Sequence, residues 1–78
     1  MKGMLWYLSE PKKTPNEQLN EGLEHFRKKY EKVPTIVYAH PSQVEDFQPI
    51  DGVNIVPTAV QFNHVLIGVE EEVADGVL

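Results

Sequence analysis

Six prolines punctuate this chain, at positions 11, 15, 34, 41, 49 and 57, and they fix where regular structure can begin and end. Proline donates no backbone hydrogen bond and pushes the residue before it out of helical geometry. The hydrophobic pattern between them alternates between strand-like runs and one helix-like run, which is the signature of a mixed architecture.

The first run, Met4 to Leu8, is dense in large apolar and aromatic residues and gives way to Ser9, Glu10 and Pro11. It reads as a short strand. Thr14, Pro15 and Glu17 then form a helix start: a capping threonine, proline at the first helical position and glutamate at the third. One reciprocal capping box there satisfies two amides that the helix leaves unpaired. Leu19, Leu23, Phe26 and Tyr30 follow at spacings of four, three and four, so they share one stripe of a helix from about Pro15 to Glu31. Acids lie early on that helix and bases late, matching its dipole. Gly22 weakens the helix by about 0.5–1 kcal/mol relative to alanine, and close approach of a strand backbone is the expected compensation.

Val33 and Pro34 end the helix, and Thr35 to His40 is the best strand in the chain, stopped by Pro41. Ser42 is placed to cap a short helical turn with Val44 and Phe47 inward. A turn at Asp51 and Gly52 leads into Val53 to Val56, and a last run covers His64 to Val69. The spacing allows these two to be antiparallel neighbours. The expected fold is α+β: a βαβ unit plus two further strands, one long helix packed on one face of a three- or four-stranded mixed sheet. Residues 1–78 form a single small domain, with a tail from about residue 70 that has no packing pattern and is expected to fray.

With no cysteine among 78 residues, disulfides, thiolate chemistry and cysteine-ligated zinc are excluded. The opening apolar run is too short for a secretory leader, so the expected location is cytoplasmic or intravirion. No window approaches the apolar length of a spanning helix, so no membrane is expected. All seven cations precede residue 33, which leaves the two halves at +2 and −7. An acidic chain is a poor backbone binder, and nucleic acid is not an expected partner. The basic cluster at Arg27, Lys28, Lys29 and Lys32 suits a helix end facing solvent.

The residues that could carry chemistry are few. Neither Ser9 nor Ser42 sits in a nucleophile elbow, and the glycines are scattered rather than gathered in a phosphate loop. His25 falls on the border of the helix stripe. His40, ending a strand, can cap the following turn or point into a crevice at the strand's carboxyl end. Tyr38, His40, Pro41 and Ser42 are therefore the candidate ligand-binding residues, with Trp6 or Tyr7 at the matching end of the first strand. A carboxylate or phosphate is the ligand expected there. No catalytic residue and no cofactor are assigned. The alternative is a small metal-binding protein or enzyme in which His40 and His64 join a carboxylate in a two-histidine, one-carboxylate site.

Leu5-Trp6-Tyr7, the helix ending Phe26-Arg27-Lys28-Lys29-Tyr30, the step Pro34-x-Ile36-Val37-Tyr38-x-His40-Pro41 and a late Ile67-Gly68-Val69 together resemble a group of short uncharacterised bacterial proteins. The resemblance spans about residues 4 to 69 and implies the fold without implying an activity. The chain departs from that pattern at Glu31-Lys32, where a glycine is expected. A shorter stretch, Phe26 to Phe47, is similar to a helix–strand–short-helix segment of tailed-phage capsid proteins, and nothing is carried over from it.

One helix covers one sheet face, and Leu5, Tyr7, Val37, Val53, Ile55, Val65 and Ile67 cannot all lie beneath it when strands alternate inside and outside. With no nucleophile beside a base, no metal-ligand spacing and no phosphate loop, the expected function is a non-catalytic binding or interaction module. Its expected partner is itself, as a homo-oligomer and most simply a dimer formed through the uncovered sheet face or an edge strand. Another protein is the further partner considered.

Overall fold

The computed structural model describes residues 3–69. Four strands and one α-helix follow the order β1 (Gly3–Tyr7), α1 (Pro15–Tyr30), β2 (Ile36–Ala39), a 3-10 helix (Pro41–Asp46), β3 (Asn54–Pro57) and β4 (His64–Gly68). The expected tail beyond residue 70 lies outside the described residues. The four strands form one mixed sheet in the order β1-β4-β2-β3, with α1 packed over β4 and β1. The fold is therefore α+β, with a helix of 16 residues.

The strand order corrects one expectation. β3 and β4 are not neighbours: β3 pairs parallel with β2, and β4 inserts between β1 and β2, antiparallel to both. The βαβ unit is thus split, because β1 and β2 run in the same direction with β4 between them. The pattern of side chains gives the physical reason. Val65 and Ile67 are both fully buried, and a strand so apolar on one face gains most at the centre of the sheet, under the helix. β3 ends in Pro57 and is suited to an edge.

The helix forms as its caps dictate. The Thr14 hydroxyl accepts from the Glu17 amide at 3.2 Å, and the Glu17 carboxylate accepts from the Thr14 amide at 2.9 Å. At the other end Glu31 adopts a left-handed conformation, φ 56°, and its amide donates to the Arg27 carbonyl. This is the glycine-favouring position of a helix terminus, and a glutamate occupies it. Beside it Arg27 and Glu24 pair at 2.8 Å. The guanidinium holds the Glu24 carboxyl below its ordinary range, and both side chains are about half exposed, so the pair adds little to stability.

Leu19 and Phe26 on the helix pack against Val37, Val65 and Ile67 on the sheet, and these five are the largest fully buried side chains. Each contributes roughly 1.5–3 kcal/mol on burial. Gly22 sits where a side chain has no room: an added Cβ would lie 2.8 Å from Trp6 Cδ1 and Cγ and 2.9 Å from Ile67 Cδ1. The close approach is made by these two side chains, not by a strand backbone. Trp6 is held there by its indole N–H, which donates to the Gln18 carbonyl at 3.0 Å.

Two buried amides tie down the loops. Gln18 donates to the Lys13 carbonyl and accepts from the Glu10 amide, which fixes the connection between β1 and α1. Gln43 accepts from the Asn63 amide at 2.7 Å and donates to the Asn63 side-chain oxygen at 2.8 Å. That clamp holds the turn before β4, where Asn63 has φ 65°, a conformation asparagine tolerates better than most residues.

Candidate functional site

Because β1 and β2 run in the same direction, their carboxyl ends share one edge of the sheet, and β4 begins between them. Tyr7 and His64 are paired in register, and their rings stack at 4.7 Å between centroids, 23° apart. The β2–β4 register, Ala39 opposite Val65, carries on to place His40 alongside His64. His40 meets Phe62 edge-on at 5.6 Å. Tyr7, His40, Ser42, Phe62 and His64 are thus gathered at one end of the sheet.

Strand alternation sorts the remaining candidates. Tyr38 lies on the helix-free face, in register with Leu66 of β4 and Val56 of β3, and Leu66 is in turn opposite Leu5. Trp6 points the other way, beneath the helix, tilted against His25 at 5.3 Å. It is a core residue and is not part of the edge cluster. Pro41 opens the 3-10 helix. Phe62, Asn63 and Gln43 were not singled out from sequence. Asn63 carried the one usable signal, since asparagine before a strand is a frequent left-handed turn residue.

The hydrogen bonds define the two histidines chemically. His40 Nδ1 accepts from the Ser42 amide at 3.1 Å and from the Ser42 hydroxyl at 2.8 Å. A backbone N–H can only donate, so Nδ1 carries no proton and the neutral ring is protonated at Nε2. Of the two caps expected, His40 is the one the structure uses, and Ser42 is not the cap of the short helix. His64 is the opposite tautomer: its Nδ1 lies 3.0 Å from the Phe62 carbonyl, which only accepts, so Nδ1 holds the proton and Nε2 keeps a lone pair.

This arrangement has consequences for chemistry. A metal on His40 Nε2 would force the ring's one proton onto Nδ1, facing the Ser42 amide donor. Among the described residues, no group of three or more His, Cys, Asp or Glu side chains is placed to hold a metal ion. Ser42 fares no better as a nucleophile, because the His40 Nδ1 beside its hydroxyl shares its lone pair with the Ser42 amide. The 3-10 helix is also too short, at six residues, to build an anion site on its amino end.

The helix-free face is more distinctive than the histidines. Leu5, Leu66, Tyr38 and Val56 form a continuous row across all four strands. Leu5 and Tyr7 on β1 are 60% and 58% exposed, whereas Leu66, Tyr38 and Val56 are half-buried. Of the seven apolar residues expected not to fit together beneath the helix, Val37, Val65 and Ile67 are fully buried, while Leu5 and Tyr7 are exposed. Fold and surface together define a small α+β domain with one helix-covered sheet face and one helix-free face on which Leu5 and Tyr7 are exposed while Ile36 is buried. No family model, curated protein or solved structure matches the chain. No helix of the described residues is long and apolar enough to cross a membrane.

Proposed function

We propose that this chain is a non-catalytic interaction module that works as a homo-oligomer, most simply a dimer. The observation that carries the reading is the exposure of Leu5 and Tyr7 on β1, at the end of an apolar row on the face the helix leaves bare. A domain of 8.9 kDa without disulfides has a small core, and burying exposed leucine and tyrosine against a second copy adds apolar contact that the monomer lacks. The His40–Ser42 and His64–Phe62 contacts support the same reading, because they commit the Nδ1 atom of each histidine to capping and turn formation.

Light scattering at tens of micromolar tests the proposal. The expected result is a mass of at least twice 8.9 kDa. A monomer mass across the accessible concentration range would refute it.

A further inference from the structure

We propose that the second copy binds along the free edge of β1, antiparallel about a two-fold axis at Leu5, joining two four-stranded sheets into one of eight strands. This rests on the self-association reading above and adds which surface and which atoms meet.

The backbone identifies the free groups. The Leu8 amide donates to the Asn63 carbonyl at 2.8 Å, extending the β1–β4 register beyond Tyr7 and His64. In an antiparallel ladder a residue turns both its N–H and its C=O to one side, and its neighbours turn theirs to the other. Met4, Trp6 and Leu8 therefore face β4, while Gly3, Leu5 and Tyr7 present theirs at the outer edge of the sheet, where β1 is the terminal strand. Placing Leu5 on the axis opposes Leu5 to its copy and Gly3 to the copy's Tyr7, so every one of these outward groups gains a partner.

The side chains fit the same register. Gly3, Leu5 and Tyr7 share the helix-free face, and the two-fold lays each Tyr7 ring beside a glycine, a pairing that offsets the poor packing of glycine in a strand. Proteins usually guard an edge with charge, proline or a bulge. Gly3–Tyr7 has no charge and no proline, and its register with β4 is unbroken. The opposite edge of the sheet is guarded, because β3 ends in Pro57.

The helices also accommodate the pairing. Gly22 lies over both Trp6 of β1 and Ile67 of β4, so α1 rides above the gap between these strands. With strands about 4.8 Å apart, the two-fold sets the helix axes about 10 Å apart, within the spacing at which helices pack. The flank of α1 on the β1 side is marked by Gln18 and His25, both in contact with Trp6, and carries Glu21 and Lys28 one turn either side of His25. Glu21 on this flank is already paired with Lys13, and the two-fold relates the flank to itself, as an isologous interface requires.

The test compares masses by light scattering at one concentration. Leu5→Pro removes an outward amide without touching the β4 ladder, and Leu66→Lys places a charge in the middle of the bare face. The expected result is a dimer for wild type and Leu66→Lys and a monomer for Leu5→Pro, folded by circular dichroism. A dimeric Leu5→Pro together with a monomeric Leu66→Lys would overturn edge pairing in favour of face-to-face packing, leaving self-association intact. A monomeric wild type would overturn both. Should Leu5→Pro not fold, Leu5→Cys decides: the chain has no other cysteine, and residues opposed across the axis as a hydrogen-bonded pair have Cβ atoms about 5.5 Å apart, wide for a direct disulfide but within the span of a short bifunctional thiol reagent. Efficient crosslinking to a covalent dimer by that reagent is expected, and a wild-type dimer whose Leu5→Cys variant stays uncrosslinked would overturn the proposal.

Discussion

Replacing Gly22 by alanine sets two effects of known sign against each other. Alanine in a helix interior is better than glycine by about 0.5–1 kcal/mol, so propensity alone forecasts a more stable protein. The structure forecasts the reverse, because the new Cβ would sit 2.8 Å from two atoms of the Trp6 ring and 2.9 Å from Ile67 Cδ1. The ring cannot swing aside freely: its N–H is committed to the Gln18 carbonyl at 3.0 Å, and His25 lies against it. Overpacking of this kind costs about 1–3 kcal/mol, and with the ring pinned the net loss should be about 1–2 kcal/mol. For a domain of this size each kcal/mol lowers Tm by about 4–8 °C. Thermal and urea unfolding followed by circular dichroism measure the change. Ile67→Val, which removes Cδ1, should make the two substitutions together cost less than the sum of each alone. A Gly22→Ala protein that melts at or above the wild-type temperature would refute the packing argument.

Gln43→Ala strips the Asn63 amide and side chain of their shared partner; a loss of about 1–3 kcal/mol is expected, and an unchanged urea midpoint would contradict it. The two edge histidines should show opposite neutral tautomers in nitrogen-15 spectra, Nε2–H for His40 and Nδ1–H for His64, as their contacts demand. Ser42→Pro, which removes the amide donor, should release His40 from its fixed tautomer, and a spectrum unaltered at His40 would count against the capping role.

Local features were legible in the sequence because their causes are local. The helix from Pro15 announces itself through Thr14 and Glu17, whose reciprocal bonds need only residues three apart, and Pro34 and Pro41 bracket β2. The strand order was not legible. Nothing near His64 states that β4 lies between β1 and β2; that placement depends on which apolar strand gains most beneath the helix, a property of the whole sheet. For the same reason the close neighbours of Gly22 were misjudged. A glycine shows that space is short, but Trp6 and Ile67 reach it only through the tertiary fold. The edge cluster was half visible. Strand direction brought Tyr7, His40 and Ser42 to one end, while alternation turned Trp6 away from it, and the choice of His40 over Ser42 as cap depended on a ring orientation that spacing does not encode. Glu31 shows sequence and structure in tension, since a glutamate occupies a left-handed terminus where glycine is the usual residue.

Amide hydrogen exchange of the wild-type protein at two concentrations tests edge pairing most directly. Met4, Trp6 and Leu8, whose amides face β4, should exchange slowly at both concentrations. Leu5 and Tyr7, whose amides face outward, should be protected in the concentrated sample and lose that protection on dilution, because only a second copy covers them. Fast exchange of Leu5 and Tyr7 at both concentrations, or protection that dilution leaves unchanged, would contradict the pairing of β1 with its copy.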